Sequence, residues 1–215
     1  MSAVLDNLDV FWSGFRITLL LTLLSSALAL TLGTLLAAFR VAPVPVLRAV
    51  GGGYVETVRN VPAIVVFFFV LFGLPQIGVQ LSFMTSAVTA LTVYYAAFFC
   101  EAVRSGINAV PVGQAEAARS VGLTFGASLR LVILPQALRS VIPPLINVFI
   151  ALAKTSAVAS AFGVAELLNA MQRLANSESA SIIAILLTTA LLYLVITIPA
   201  GLIAHRIERK VAILR

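Results

Sequence analysis

The sequence predicts an all-α, polytopic membrane protein with about five transmembrane helices, and three observations carry that prediction. Of 215 residues, 61% are apolar and only 10% are charged, with a mean hydropathy of +1.10. A soluble domain runs at about 45–50% apolar and about 25% charged. Three runs, Ile17–Phe39, Asn60–Cys100 and Ser179–His205, contain no Asp, Glu, Lys or Arg, and each exceeds the roughly 20 apolar residues a helix needs to cross a hydrocarbon core. Finally, Lys and Arg gather in alternate segments of the chain, as the excess of positive charge in cytoplasmic loops requires.

Each span has its own warrant. The first, about 17–39, is the first charge-free run. The run Asn60–Cys100 is too long for one crossing, and Gly73-Leu74-Pro75-Gln76-Ile77-Gly78 interrupts it with turn formers. It therefore predicts two spans, about 56–75 and 84–104, joined by an uncharged hairpin, with Gly51-Gly52-Gly53 as a flexible joint before the first of them. The fourth, about 131–153, carries Arg139, Pro135, Pro143 and Pro144, and the fifth, about 180–205, carries Pro199 near its end. The whole chain, 1–215, reads as a single transmembrane domain.

Orientation follows from the basic residues. Arg40, Arg48 and Arg59 fall in one segment, Arg104, Arg119, Arg130 and Arg139 in a second, and Arg206, Arg209, Lys210 and Arg215 in the tail. The intervening segments hold only Arg16, Lys154 and Arg173. The N-terminus is expected outside and the C-terminus in the cytoplasm. The net charge of +6 is then a matter of topology, and its dispersal along the chain argues against a nucleic-acid partner. The start, acidic rather than basic and followed by a long apolar run, does not read as a cleavable signal.

The inventory of reactive side chains excludes most enzyme classes. There is one His, His205, in the basic tail, and one Cys, Cys100, so neither a hydrolytic triad nor a metal ligand set can be assembled and no internal disulfide can form. The lysines, Lys154 and Lys210, stand in Ala153-Lys154-Thr155 and Arg209-Lys210-Val211, so there is no Gly-Lys-Ser/Thr phosphate loop. Any ATP this protein uses must be hydrolysed by another chain.

The longest stretch between spans on the cytoplasmic side is 106–130. Pro111 followed by Gln114-Ala115-Glu116-Ala117-Ala118-Arg119 and then Gly122 predicts a short helix with Pro near its start and Gly at its end. Such a helix is either a rigid knob that transmits force to a partner or an amphipathic element lying on the lipid surface.

Glu116-Ala117-Ala118, Gly122 and Leu134-Pro135, with Val132 in place of the usual Ile, resemble the EAA loop of binding-protein-dependent ABC importer permeases. The resemblance covers nearly the whole chain. Tyr54 to Pro62 is similar to the opening of the second span in polar amino acid permeases, Glu101 to Ile107 to the stretch before their loop, and Lys154-Thr155-Ser156 with Phe162 to Leu167 to the segment after their fourth span. Within that family the chain looks most like the glutamate-type importers of actinobacteria; Val66 and Ala157 depart from the Gln and Leu that members often carry.

The resemblance implies a type I ABC importer transmembrane fold in the plasma membrane, in a subunit that is not itself an enzyme. It implies a second permease subunit, a heterodimer being preferred to a homodimer, two copies of an ATP-binding cassette ATPase, and an extracytoplasmic amino acid binding protein. ATP and Mg would sit on the ATPase, with no cofactor on this chain. Gln114, Glu116, Ala117, Ala118, Arg119 and Gly122 would couple to the ATPase, whose closure would drive alternating access.

Polar residues near the membrane supply two further expectations. Glu56 with Arg59, and Glu101 with Arg104, form two Glu-x-x-Arg units, each able to pair within its helix or across to the other. They are a candidate inner gate, although helix-end pairing at the surface would have the same residues. Asn147, Lys154, Thr155 and Ser156 are a candidate substrate path, with outer-face anchoring as the alternative for Lys154. The rival to the ATP-driven importer is an ion-coupled secondary amino acid transporter, which would need ionisable groups deep in the spans.

Overall fold

The computed structural model describes residues 2–212, and among them every regular element is helical. Arg215, counted above with the basic tail, lies outside the described residues. After a short turn of helix at Ser2–Leu5, α1 runs over Leu8–Val41, α2 over Pro45–Arg59, and α3 over Ala63–Phe68. α4 covers Phe83–Asn108, α5 Val112–Ser120, α6 Leu134–Thr155, α7 Leu167–Ser177 and α8 Ile182–Ala212. By length and composition four helical stretches can cross a membrane, or up to five if the bent pair Pro45–Arg59 and Ala63–Gln76 counts as one span.

That bent pair departs from the expected span at 56–75. The chain turns by 106° between Arg59 and Ala63. Pro62 has no N–H to continue a helical ladder and forces the residue before it out of the helical region, while the Asn60 side-chain amide donates to the Glu56 carbonyl at 2.7 Å and closes α2. Glu56 and Arg59 therefore end one helix instead of opening the next. The triple glycine is no flexible joint either. It lies inside α2, where Gly51 is buried with space for a Cβ only 2.9 Å from Arg40 Cγ, so its smallness lets α2 lie against the end of α1.

Two wide turns precede the two Leu-Pro pairs. At Phe69–Gly73 and again at Leu129–Ile133 the backbone makes i→i+5 hydrogen bonds, with the Leu74 N–H donating to Phe69 and the Leu134 N–H to Leu129. Proline one residue later cannot donate, and its ring would clash with the carbonyl four residues back. Widening the turn relieves that clash, and such bulges are the usual form of the rare π-helix. The helix consequently continues through Pro75 to Gln76, and the chain reverses at Gly78, φ +84°. Ahead of the second wide turn, Phe125–Ser128 starts the helix earlier than the expected 131, with the Thr124 side chain capping Ala127 N–H at 3.3 Å.

α4 is the centre of the bundle. A Cβ added at Gly33 of α1 would lie 2.7 Å from Phe99 Cβ and 2.8 Å from the Ala96 carbonyl oxygen of α4, and one at Gly106 of α4 would lie 2.7 Å from Val141 Cα of α6. Small residues at such crossings let helix backbones meet directly, the form of packing that substitutes for the hydrophobic effect in lipid. Around them Leu21, Ala29, Phe67, Ala87, Leu91, Tyr95, Leu152 and Phe162 make one buried cluster.

At the opposite end of α1 from Arg40 a carboxylate is fully buried. Glu166 caps α7 by accepting from Asn169 N–H at 2.8 Å, and accepts from Tyr193 of α8 at 3.0 Å and Thr18 of α1 at 3.3 Å. The Thr18 hydroxyl in turn accepts from Leu167 N–H at 3.0 Å. Burial raises the Glu166 carboxyl above its ordinary range, against the opposing pull of these donors. The segment between α6 and α8 is thus pinned to the first and last long helices.

Gly33→Leu should destabilise the bundle by about 1–3 kcal/mol, the cost of overpacking a tight contact. Gly52→Ala, with nothing within 4 Å of the added Cβ, should be neutral or slightly stabilising. Thermal unfolding in detergent measures both, and equal melting temperatures would refute the close-approach argument.

Candidate functional site

The ends of α1, α2 and α4 meet around one carboxylate. Glu101 receives Arg40 from the end of α1, Arg104 at 2.9 Å from the next turn of its own helix, and Arg59 at 3.9 Å from the end of α2. Arg40 and Glu101 are only 18% and 21% exposed, whereas Arg59 is 46% exposed. The Arg59 guanidinium rests over the Phe98 ring, 5.6 Å from its centroid, a cation–π contact that holds it near Glu101. The Tyr54 hydroxyl donates to the Val93 carbonyl at 2.7 Å and fastens α2 alongside α4.

Of the two Glu-x-x-Arg units, only the second pairs within its helix. Glu56 makes no ion pair among the described residues, yet it lines the same pocket of about 430 Å³ with Arg40, Arg59, Asn60, Glu101 and Arg104. Arg40 belongs to no motif in the sequence. It lies far from Glu101 in sequence, and its only signal was its place at the end of the first charge-free run.

The loop helix α5 is exposed on most of its surface. Gln114, Glu116, Ala117, Arg119 and Gly122 face outward, and Ala118 alone of the candidate coupling residues is buried. Its C-terminus closes in a Schellman pattern: Leu123 N–H donates to the Ala118 carbonyl at 3.1 Å and Gly122 N–H to Arg119 at 2.9 Å. Gly122 takes φ +84°, the left-handed region that a Cβ disfavours. The Gln136 amide approaches Gln114 Oε1 at 3.4 Å and bonds the Val132 carbonyl at 2.9 Å, linking α5 to the helix that begins beyond it. Val112, Val121 and Phe125 are 74%, 76% and 79% exposed around this knob, an apolar rim unlike a solvated loop.

The four residues of the candidate substrate path are placed differently from one another. Asn147 and Lys154, seven positions apart on α6, are exposed on one face. Thr155 is half-buried and its hydroxyl is 2.6 Å from that of Tyr95 on α4. Ser156 is fully buried and donates to the Ala153 carbonyl at 2.8 Å, so it faces the bundle interior. His205 is exposed in the tail, 3.6 Å from Glu208.

Loss of Arg40 leaves Glu101 without its least exposed partner, whereas loss of Arg59 removes a long and largely hydrated contact. Breaking a buried pair costs about 3–5 kcal/mol and an exposed one about 0–1. Arg40→Gln should therefore lower the melting temperature clearly more than Arg59→Gln. Equal losses in thermal unfolding would refute the ranking.

Comparison with known proteins identifies the family. Residues 11–213 match the family described as binding-protein-dependent transport system inner membrane components. The probable glutamine ABC transporter permease protein GlnP of Bacillus subtilis is 37% identical, with 94% of each chain covered. The glutamate transport system permease protein GluC of Corynebacterium glutamicum is 38% identical, over 96% of this chain and 94% of its own. Among solved structures, an amino acid ABC transporter crystallised with histidines superposes with a TM-score of 0.88 at 31% identity, covering 96% of both chains. The methionine ABC transporter MetNI, facing inward, shares the fold with a TM-score of 0.71. Permeases of this family leave ATP hydrolysis to a separate ATPase and work with a solute-binding protein. The chain belongs to the family of binding-protein-dependent transport system inner membrane components, as a non-catalytic, multi-pass permease subunit of an ABC importer in the cell membrane.

Proposed function

We propose that this permease imports glutamate or a related polar amino acid, as one half of a heterodimer of permeases above two ATPase copies that hold the ATP and Mg. The observation that carries the coupling role is the exposed α5 knob, closed at Gly122 and linked at Gln114 to α6. Gln114, Glu116, Ala117, Ala118, Arg119 and Gly122 form its contact with the ATPase, either directly or, for Ala118 and Gly122, by fixing its shape. The names of the relatives support the solute class, since GlnP and GluC handle the two closely related amino acids glutamine and glutamate. Glu101 with Arg59 and Arg104, joined by Arg40 and lined by Glu56, serves as the inner gate. Asn147, Lys154 and Thr155 line the path of the solute, and Ser156 supports the wall behind them.

Reconstitution tests the reading. With the matching ATPase, second permease and binding protein in proteoliposomes, uptake of labelled glutamate should require ATP and survive ionophores that collapse ion gradients. Uptake that follows an ion gradient without ATP would overturn it. In the same assay Gly122→Val should insert normally yet lose at least tenfold in uptake, because a left-handed β-branched residue costs about 1–2 kcal/mol and disfavours the cap. Nothing else lies within 4 Å of that position to be disturbed.

The orientation has its own test. In a Cys100→Ala background, Gln76→Cys should react with an impermeant maleimide on intact cells stripped of outer layers, and Gln114→Cys should react only after lysis. Labelling of position 114 from outside would invert the topology.

A further inference from the structure

We propose that the pocket at the meeting of α1, α2 and α4 is a binding site for the solute on its way out, selective for an amino acid of net charge −1. The inference rests on the importer reading above and names the ligand class of its inner gate.

The pocket volume, about 430 Å³, falls in the range of small-molecule sites, about 300–1,000 Å³. Its charged lining is three guanidiniums, Arg40, Arg59 and Arg104, and two carboxylates, Glu56 and Glu101, a net of +1. These groups are unequally committed. Arg40 and Glu101 are engaged with each other in the least exposed part. Arg59 reaches Glu101 only at 3.9 Å, and Arg104, which gives one terminal nitrogen to Glu101 at 2.9 Å, keeps its side chain 36% exposed. Glu56 borders the cavity with no ion pair among the described residues. Two guanidiniums with donors beyond those given to Glu101, and one unpaired carboxylate, are what a carboxylate-bearing amino acid requires: carboxylates at Arg59 and Arg104, ammonium at Glu56.

Charge selects among ligands. An acidic amino acid has two carboxylates and one ammonium, and its net −1 offsets the net +1 of the lining. A neutral amide such as glutamine leaves one guanidinium unanswered. A phosphate-rich lipid headgroup or nucleotide meets repulsion from both Glu56 and Glu101. Binding would also loosen the gate, because a ligand carboxylate competes with Glu101 for Arg59, the weakest of its three contacts. The solute would thereby part the end of α2 at Arg59 from Glu101 of α4 as it passes.

Equilibrium binding of labelled L-glutamate to the assembled importer tests this, using permease pair and ATPase in nanodiscs of neutral lipid, without nucleotide or binding protein. Saturable binding is expected, with L-glutamine competing at least tenfold more weakly. Arg59→Gln should weaken glutamate binding at least tenfold. Glu56→Gln should weaken glutamate but leave glutarate, which lacks the ammonium, bound as tightly or more tightly, since a repelling carboxylate is removed; a merely structural role for Glu56 would weaken both. No saturable binding, equal competition by glutamine, or indifference to both substitutions would overturn the proposal. Glutamate binding that is lost in nanodiscs containing phosphatidylglycerol, while the signal kept in neutral lipid is indifferent to Arg59→Gln, would assign the pocket to anionic lipid and likewise overturn it. Failure of binding in a complex that still imports glutamate with ATP refutes the exit site alone, whereas failure of ATP-driven import refutes the importer reading.

Discussion

Everything in this bundle hangs on how closely α4 can be approached. At Gly33 the backbone of α1 touches α4, and at Gly106 that of α4 touches α6, with no room for a methyl group at either place. In lipid, apolar side chains gain little by leaving one hydrocarbon environment for another, so association depends on close packing and on polar contacts. Two such crossings in the C-terminal half of α4, at Ala96–Cys100 and at Gly106, fix its neighbours' distances, and the polar groups then find partners. Tyr95 reaches Thr155 and Glu101 reaches Arg40 only because the helices that carry them are already in contact.

The two ends of the bundle solve the problem of a low-dielectric carboxylate in contrasting ways. Glu166 is satisfied by neutral donors: a backbone N–H, a tyrosine and a threonine hydroxyl. No cation is needed, and the contact ties down three chain segments as a static joint. Glu101 instead gathers three guanidiniums of graded exposure. A site with surplus cations and graded distances can rearrange by exchanging partners. The static joint has its cap geometry built into the start of α7, while the adjustable one is assembled from the ends of three separate helices.

Much of this was legible in the sequence. Charge-free runs marked where helices lie in the bilayer because burying charge in hydrocarbon is costly, and the family motif around Glu116, Gly122 and Pro135 was short-range enough to be read directly. The sharp turn at Pro62 leaves no mark in the hydropathy because the apolar run continues through it: hydropathy reports where a chain is greasy and is blind to direction. The triple glycine misled for a related reason, since glycine favours a joint in isolation but here answers a neighbour's backbone. The Glu101 cluster was half visible. The i,i+3 partner Arg104 follows from helix geometry, but Arg40 is supplied by a helix crossing that no local pattern encodes. Asn147 and Lys154 share a face by simple periodicity, whereas the inward turn of Ser156 depends on the tightening of the chain into a 3₁₀ turn at Ser156–Phe162.

The wide turns ahead of Pro75 and Pro135 also change how these helices present themselves over their length. A helix advances about 100° per residue, so a single additional residue in one turn swings everything beyond it to another azimuth. A helical wheel drawn straight through Ala63–Gln76 would merge two stripes that are out of phase at Phe69–Gly73. The aromatic ring of Phe67 is buried against Phe162, while Phe69 and Phe72, on the wide turn, are mostly exposed. One short segment therefore shows one side to its own bundle and, past the bulge, a rotated side to its surroundings.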